Sequence, residues 1–283
     1  MWSRERVARK PWGRRRTLLL AFLAAIVVAA IGGLMMNETP AQFGPPRSLD
    51  LDQCDAAWTD VLAHHVDALG RVDFSGLDKD RAGLDEVIKF IAAVDPASSP
   101  ERFPTPNARL AFYLNAYNAL AMYGVLDAGV PKRFGWLGRI RFFVLRRFTM
   151  GGRTISLYSL ENSVIRPLGD PRVHFALNCM SVSCPRLPQS AFTASALDKQ
   201  LDTVAREFVA EKRNVDVDDD RKELRVSAIF KFYTKDFLTK ASSLPAYIDR
   251  YRLAQVPANY KIVFDDYDWW INDQKHPWPS RAL

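Results

Sequence analysis

The sequence lacks the motifs that identify the common nucleotide-dependent and metal-dependent enzymes. It has no glycine-rich phosphate loop, no dinucleotide-binding fingerprint and no convincing metal-ligand motif, so it implies no cofactor and no metal. It also lacks internal repeats and low-complexity tracts, which excludes a repeat architecture. Cysteine and histidine are scarce, with three and four copies among 283 residues. A place where the two cluster is therefore informative.

The excess positive charge lies at one end of the chain. The net charge of the whole chain is +7. Residues 1–16 carry seven basic side chains against one acidic side chain, a net charge of +6, and this leaves about +1 for the rest. Such a distribution is typical of a cytoplasmic tail that flanks a membrane segment, and not of a nucleic-acid-binding surface. No nucleic-acid partner is predicted.

Residues 17–36 are an uncharged run rich in leucine, alanine, isoleucine and valine. As a helix this run would span about 30 Å, the thickness of a bilayer core. The run exceeds the apolar core of a usual signal peptide, and Val28-Ala29-Ala30 is a poor cleavage site. A single-pass signal-anchor is therefore favoured over a cleaved signal peptide. Since basic flanks stay cytoplasmic, the rest of the chain is expected in the periplasm, held at the inner membrane.

The rest of the chain predicts one α+β domain behind this transmembrane helix. Residues 37–48, with three prolines, are predicted to be a linker, and residues 49–283 a single mixed helix and sheet domain. Helices are predicted at residues 51–69, 77–94, 107–126, 159–167, 193–213, 229–238 and 244–251. Strands are predicted at residues 142–150 and 153–157, joined by a Gly151-Gly152 turn, and at residues 172–179, 215–226 and 260–264.

A basic-aromatic segment, residues 132–153, stands out within the domain. It has seven basic side chains, five aromatic side chains and no acidic side chain. We expect it to border the functional site, where it would bind an anionic ligand, or to face anionic lipid headgroups. A solvated strand pair without a ligand is the alternative. Arg146 and Arg147 are its predicted ligand contacts.

One short window collects most of the side chain types that do chemistry. His174-Phe-Ala-Leu-Asn-Cys-Met-Ser-Val-Ser-Cys-Pro185 contains one of the four histidines and two of the three cysteines. Glu161, Arg166, Asp170 and Arg172 lie just before it. The window is therefore the predicted functional site.

Several motifs in register resemble the domain-of-unknown-function family 547. They are residues 109–118, Glu161 with Arg166, residues 170–179 with residues 183–185, residues 230–237 and residues 267–272. The resemblance covers about residues 57–272. Tyr113 stands where the family usually has Trp, Met180 where it has Gly or Ala, and Trp270 where Ser is common. A bulky Met180 is expected to narrow a pocket at the window, and the resemblance implies no particular activity.

A thiol-centred site is the favoured interpretation of the window. If residues 172–179 form a strand, alternation puts His174 and Asn178 on one face and Cys179 on the other. Cys184 lies beyond a predicted turn and could fold back towards His174, so it is the better thiol partner.

In that interpretation the site acts on an amide, a thioester or a thiol, with Cys184 as the nucleophile and His174 as the group that takes its proton. Glu161 or Asp170 orients the imidazole, and Asn178 helps to hold the developing oxyanion.

Other interpretations need no catalysis. In an oxidising compartment Cys179 and Cys184 could form a structural disulfide, which would leave a non-catalytic binding or scaffold module. A zinc site built from His174, Cys179 and Cys184 is a third interpretation, and its fourth ligand could come only from His64, His65, His276 or an acidic side chain.

Three further polar residues are predicted contacts for a small-molecule or peptide ligand. Asn115 and Asn118 lie three residues apart and share a helix face, and Arg172 lies next to the window. Buried structural amides and an ion pair with Asp170 are the competing interpretation.

The topology is testable in cells. A reporter fused after Leu283 should be active only in the extracytoplasmic compartment, because the basic residues 1–16 are expected to stay in the cytoplasm. Reporter activity in the cytoplasm would contradict the topology. A mature N-terminus near Ile31, determined by mass spectrometry, would replace the anchor with a cleaved signal peptide.

Overall fold

The structure is a computed structural model, and it describes residues 50–275. The predicted tail, membrane segment and linker lie outside the described residues. Within residues 50–275, no helix is long and apolar enough to cross a membrane.

α-Helices are the most abundant regular elements in the described part of the chain. They are α1 (Leu51–His65), α2 (Phe74–Lys79), α3 (Ala82–Ala93), α4 (Pro106–Asp127), α5 (Trp136–Arg139), α6 (Leu157–Ser159), α7 (Leu197–Ala210), α8 (Ala228–Phe232), α9 (Thr234–Phe237) and α10 (Leu244–Ile248). The helices predicted at residues 107–126 and 193–213 are confirmed as α4 and α7, whereas the one predicted at residues 77–94 is divided between α2 and α3.

Helix α4 lies at the centre of the domain, as its apolar sequence predicts. The Thr105 side chain accepts a hydrogen bond from the Ala108 amide at 3.1 Å, and Pro106 occupies the first turn, where its missing N–H costs nothing. Almost every side chain from Ala108 to Leu126 is buried. A helix buried on all faces is packed from several sides, so α4 can position groups from distant parts of the chain.

The strands form two small sheets. They are β1 (Phe148–Met150), β2 (Arg153–Ile155), β3 (Val215–Asp218), β4 (Glu223–Val226) and β5 (Lys261–Phe264). β1 and β2 are an antiparallel pair, whereas β4 pairs antiparallel with β3 and parallel with β5. The predicted hairpin at residues 215–226 and the strand at 260–264 are confirmed, and so is the α+β fold class.

The predicted hairpin of the basic-aromatic segment is shorter than expected. The turn is confirmed, since Gly151 and Gly152 both adopt positive φ, at 54° and 75°. Residues Ile140–Leu145 form a π-helical turn, so a strand that begins at residue 142 is wrong. Phe142 and Phe143 are adjacent in sequence, yet both rings lie near Phe134, with centroid distances of 4.4 and 6.1 Å. Alternation in a strand would have sent the two rings to opposite faces.

The strand predicted at residues 172–179 is wrong. Pro171–Phe175 is a 3-10 helix, and an irregular loop follows it. Pro171 suits the first helical position, and the Asp170 side chain accepts a hydrogen bond from the Arg172 amide at 2.9 Å. These capping signals override the alternation of apolar side chains. The face assignment that followed from a strand therefore does not apply.

An asparagine on α4 attaches this loop to the core. The side-chain NH₂ of Asn118 donates to the Ala176 carbonyl at 3.0 Å, and the side-chain oxygen of Asn118 accepts from the backbone N–H of Asn178 at 2.8 Å. Asn118 is 1% exposed. These two bonds fix the first part of the loop, residues 176–178, to α4.

Replacing this asparagine should weaken the fold. Asn118→Ala leaves two buried backbone groups without partners, and we expect the free energy of unfolding to fall by about 2 to 4 kcal/mol. Urea denaturation of the whole chain measures the change. Asn107→Ala is the matched control, since Asn107 lies exposed at the start of the same helix. Equal stability of the two variants would contradict the role of Asn118.

Candidate active site

The window lies at the base of a cavity of about 630 Å³. Most of the cavity wall is aliphatic or aromatic, and five residues of the basic-aromatic segment contribute to it. These five are Trp136, Arg139, Ile140, Phe143 and Val144. The polar part of the lining includes Glu161, Arg166, His174, Cys179, Cys184, Tyr233 and Tyr267. An apolar cavity with a few convergent polar groups is typical of a small-molecule site.

The Cys184 sulfur is surrounded by hydrogen-bond donors. The backbone N–H of Cys179 donates to it at 3.0 Å, and the Cys179 sulfur lies 2.9 Å from it. The hydroxyls of Tyr267 and Ser181 lie at 3.2 and 3.5 Å. A neutral thiol needs few such partners, whereas a thiolate gains from each of them.

These contacts favour the thiolate form of Cys184. Burial raises the pKa of Cys184, but hydrogen bonds from Cys179, Tyr267 and Ser181 outweigh burial and lower the pKa to about 6. Burial, together with the neighbouring Cys184, raises the pKa of Cys179 well above its usual value. Of the two thiols, Cys184 is therefore the one whose thiolate form the contacts favour, with the Cys179 S–H as one of its donors.

The two cysteines are free thiols in the structure. Their sulfurs are 2.9 Å apart, whereas a disulfide bond is about 2.05 Å long. Cys184 is 3% exposed and Cys179 is 9% exposed, and both line the cavity. A reagent that reaches either sulfur must therefore enter the cavity.

Local geometry of the loop sets the position of the two cysteines. The Asn178 side chain accepts a hydrogen bond from the Met180 amide at 2.7 Å and donates to the Pro185 carbonyl at 2.7 Å. Both polar ends of the predicted oxyanion-binding group are therefore committed to the backbone. Met180 has a φ of 66°, in the left-handed region that favours glycine. Its side chain lies in the core and not in the cavity lining, so it does not narrow the pocket.

His174 is bound by Asp236, a carboxylate that was not predicted as part of the site. The His174 Nε2 atom lies 2.8 Å from Asp236, and Arg166 donates to both oxygens of Asp236, at 2.7 and 2.9 Å. These hydrogen bonds, with that of Arg166 the largest contribution, lower the pKa of Asp236. An ionised carboxylate only accepts hydrogen bonds, so His174 carries its proton on Nε2.

The imidazole is therefore neutral, with its lone pair on Nδ1. Burial lowers the pKa of His174 to about 4, and the hydrogen bond to Asp236 offsets only part of that effect. The ring stacks on Tyr233 at a centroid distance of 3.7 Å. Among residues 50–275, Nδ1 has no hydrogen-bond partner, and the hydrogen bonds of Cys184 go to Cys179, Ser181 and Tyr267 instead. The thiol and the imidazole thus share a cavity without a direct bond.

The two carboxylates predicted to orient His174 have other partners. Glu161 accepts hydrogen bonds from the hydroxyls of Tyr117 and Tyr233. Burial raises the pKa of Glu161, and the two tyrosines offset part of the rise. Asp170 binds Arg172 at 2.7 Å.

The five predicted ligand contacts lie among the described residues, but none lines this cavity. Four of them have hydrogen-bond or ion-pair partners elsewhere, namely Asn115, Asn118, Arg146 and Arg172. Asn115 binds the backbone of Phe192, with 2.8 and 2.9 Å bonds, and Arg172 is paired with Asp170, Asp198 and Asp202. Arg146 pairs with Asp127.

In the part of the chain that the structure describes, no group of three or more histidine, cysteine, aspartate or glutamate side chains is arranged to hold a metal ion. The His174 Nε2 atom, one of the three ligands considered for zinc, is engaged by Asp236.

Two residues of the site, Asp236 and Tyr267, were not predicted to take part in it. Tyr267 reaches Cys184 because the segment that follows β5 runs back through the domain and forms isolated bridges from Ile271 to Ser181 and from Trp270 to Arg133. Both residues do belong to motifs that carry the family resemblance. Their place in these motifs was the one signal in the sequence that could have pointed to Asp236 and Tyr267 as residues of the site.

Comparison with protein families supports the resemblance. Residues 101–209 match the model of the family described as Protein of unknown function, DUF547. The match includes α4, Glu161, His174 and both cysteines of the window, whereas Asp236 and Tyr267 lie beyond it. Neither the curated proteins nor the solved structures gave a significant match.

The role of Tyr267 is testable through the ionisation of Cys184. Wild-type labelling by iodoacetamide should rise with pH through about 6, since only the thiolate reacts. Tyr267→Phe removes one donor to the sulfur and should move this rise by about one to two pH units towards higher pH. Peptide mass spectrometry separates Cys184 from Cys179.

The matched control is Tyr260→Phe, because Tyr260 donates to Asp219 at 2.7 Å on the surface. It should leave the labelling profile unchanged. If Tyr267→Phe also left it unchanged, Tyr267 would not stabilise the thiolate.

Proposed function

We propose that the chain is a thiol-dependent enzyme in which the Cys184 thiolate attacks an electrophile bound in the cavity. The observation that carries the proposal is the set of donors around the Cys184 sulfur, at 2.9 to 3.5 Å, inside an accessible cavity. A buried sulfur without a negative charge gains little from so many donors. Nucleophilic attack is the chemistry that a preformed thiolate supports.

The substrate class is an acyl compound, a thioester or an amide. In the first step, Cys184 Sγ bonds to the carbonyl carbon, and the leaving group of a thioester departs as a thiolate with the electron pair of the broken bond. The leaving nitrogen of an amide takes the same electron pair and the proton of the Cys179 thiol, and departs as an amine. As the sulfur loses its charge, the Tyr267 hydroxyl and the Cys179 N–H become free to donate to the developing oxyanion. The Asn178 side chain takes no part in this step, because the backbone occupies it.

His174 is the proposed base of the second step. Its Nδ1 atom is buried and has no hydrogen-bond partner among residues 50–275, so the water that hydrolyses the acyl-enzyme must reach this atom through the cavity. Asp236 holds Nε2 protonated, which leaves the Nδ1 lone pair as the proton acceptor. Ionisation of Cys184 does not require this base, because the surrounding donors already lower the pKa of the thiol.

The apolar wall indicates the kind of acyl group. Trp136, Phe143, Phe232 and Trp269 all line the cavity, and Arg139 lies over the Trp269 ring at 4.7 Å. An aromatic or aliphatic acyl group fits such a wall, and the guanidinium favours a substrate with negative charge.

The predicted location of this enzyme is the periplasmic face of the inner membrane. That part of the proposal rests on the sequence of residues 1–36 and on the basic-aromatic segment at the cavity.

A non-catalytic binding module is the second candidate. The observation in its favour is that the buried polar side chains bind one another, as in the pairs of Arg166 with Asp236 and Tyr233 with Glu161. In that case the same cavity would hold a ligand without transforming it.

Acyl transfer distinguishes the two. With an aromatic thioester as probe, the whole chain at pH 7 should gain one acyl group on Cys184, detected by intact and peptide mass spectrometry. A thiol with a pKa of about 6 is roughly 100-fold more ionised at pH 7 than one near 9. Cys184→Ser should abolish the adduct.

Cys54→Ser is the matched control. Cys54 is buried away from the cavity, and burial raises its pKa to about 12, so its removal should not alter acylation. Circular dichroism establishes that both variants fold. If the folded wild type is alkylated at Cys184 but never acylated, the enzyme proposal is wrong and the binding module remains as the function.

A further inference from the structure

We infer that Cys179 and Cys184 form a redox-active dithiol, in which Cys184 attacks a small disulfide in the cavity and Cys179 then closes the intramolecular bridge. The inference rests on the proposed nucleophilic role of Cys184. It adds a second electrophile, a disulfide sulfur, and a second reacting residue, Cys179.

The geometry supports closure of this pair. The two sulfurs are 2.9 Å apart, so less than about 1 Å of approach separates them from disulfide length. Both line the same cavity. Asn178 keeps the loop between the cysteines closed. Its backbone N–H donates to Asn118 in the core, and its side chain donates to the Pro185 carbonyl.

The contacts of the two sulfurs divide their roles. Both sulfurs lie near the hydroxyls of Ser181 and Tyr267, but among residues 50–275 only the Cys184 sulfur accepts a backbone N–H, that of Cys179 at 3.0 Å. The thiolate of Cys184 is therefore the better stabilised, and Cys179 keeps its proton while Cys184 reacts. A nucleophile with a low pKa and a neighbouring thiol with a high pKa are what a two-step exchange requires.

The first step also prepares the second. Besides burial, the neighbouring Cys184 is what raises the pKa of Cys179. When Cys184 becomes part of a mixed disulfide it loses its negative charge, so this contribution disappears. The Cys179 proton is then released more readily, and only after Cys184 has been captured.

The exchange balances without a further reactant. The Cys184 thiolate bonds to one sulfur of the ligand disulfide, the ligand S–S bond breaks, and the first ligand thiolate leaves. Cys179 gives its proton to the first ligand thiolate and attacks the Cys184 sulfur, and the second ligand thiolate leaves and takes a proton from water. The protein dithiol is oxidised by two electrons, and the ligand disulfide is reduced to two thiols. The closed bridge also removes the nucleophile, so acyl transfer stops until a thiol reductant reopens it.

Trapping of the mixed disulfide tests the pair. The reduced whole chain is mixed with glutathione disulfide at pH 7, the reaction is quenched with acid, and the intact mass of the protein is measured by mass spectrometry. The wild type should become lighter by two hydrogen atoms and keep no glutathione. Cys179→Ser should keep one glutathione on Cys184, because the resolving thiol is missing. Cys184→Ser should gain glutathione about tenfold more slowly or not at all, and Cys54→Ser should behave like the wild type.

Two results would overturn the inference. One is a wild type that keeps glutathione on Cys184 without closing the bridge. The other is capture in Cys184→Ser as fast as in Cys179→Ser, which would remove the division of roles.

The outcome is separable from the test of acyl transfer. If Cys184 is acylated by the thioester but no bridge forms, the inference fails and the proposed function stands. If the bridge forms and a thiol reductant reopens it, but no acyl group is transferred, the inference stands and the carbonyl chemistry fails. A bridge that resists the reductant overturns both and leaves a structural disulfide.

Discussion

A negative charge on the buried Cys184 sulfur depends on donors from separate parts of the chain. The Cys179 N–H and the Ser181 hydroxyl come from the same loop, whereas Tyr267 arrives from a segment 83 residues away. Burial alone would keep this thiol neutral, so the donors must be in place before the charge is stable. Two sets of contacts hold these donors in place: the hydrogen bonds of Asn118 to the loop, and the bridge from Ile271 to Ser181.

The imidazole side of the cavity follows a different principle. His174 is kept neutral by burial, and Asp236, held by Arg166, fixes which nitrogen carries the proton. A positively charged imidazole beside the thiolate is thus not part of this site. In the proposed enzyme, hydrogen bonds to sulfur take the place of the ion pair that activates many catalytic cysteines.

Local sequence signals predicted some parts of the chain well and others poorly. The apolar run of α4 and the Gly151-Gly152 turn were confirmed, because the decisive interactions lie within a few residues. The strand at residues 172–179 was wrong, since capping by Asp170 outweighs alternation. The window itself lies at a cavity, but Asp236 meets His174 across 62 residues. Contacts at that separation depend on tertiary packing, which periodicity does not report.

The ionisation of Cys184 tests the central claim most directly. Thiolate absorbance in the ultraviolet is recorded during pH titration of the whole chain and of the double variant Cys179→Ser, Cys184→Ser, and the difference is the titration of this cysteine pair. The first midpoint of the difference curve is expected near pH 6, from Cys184. A first midpoint at or above the ordinary thiol pKa, about 8.5, would mean that the donors do not stabilise a thiolate and would contradict the account.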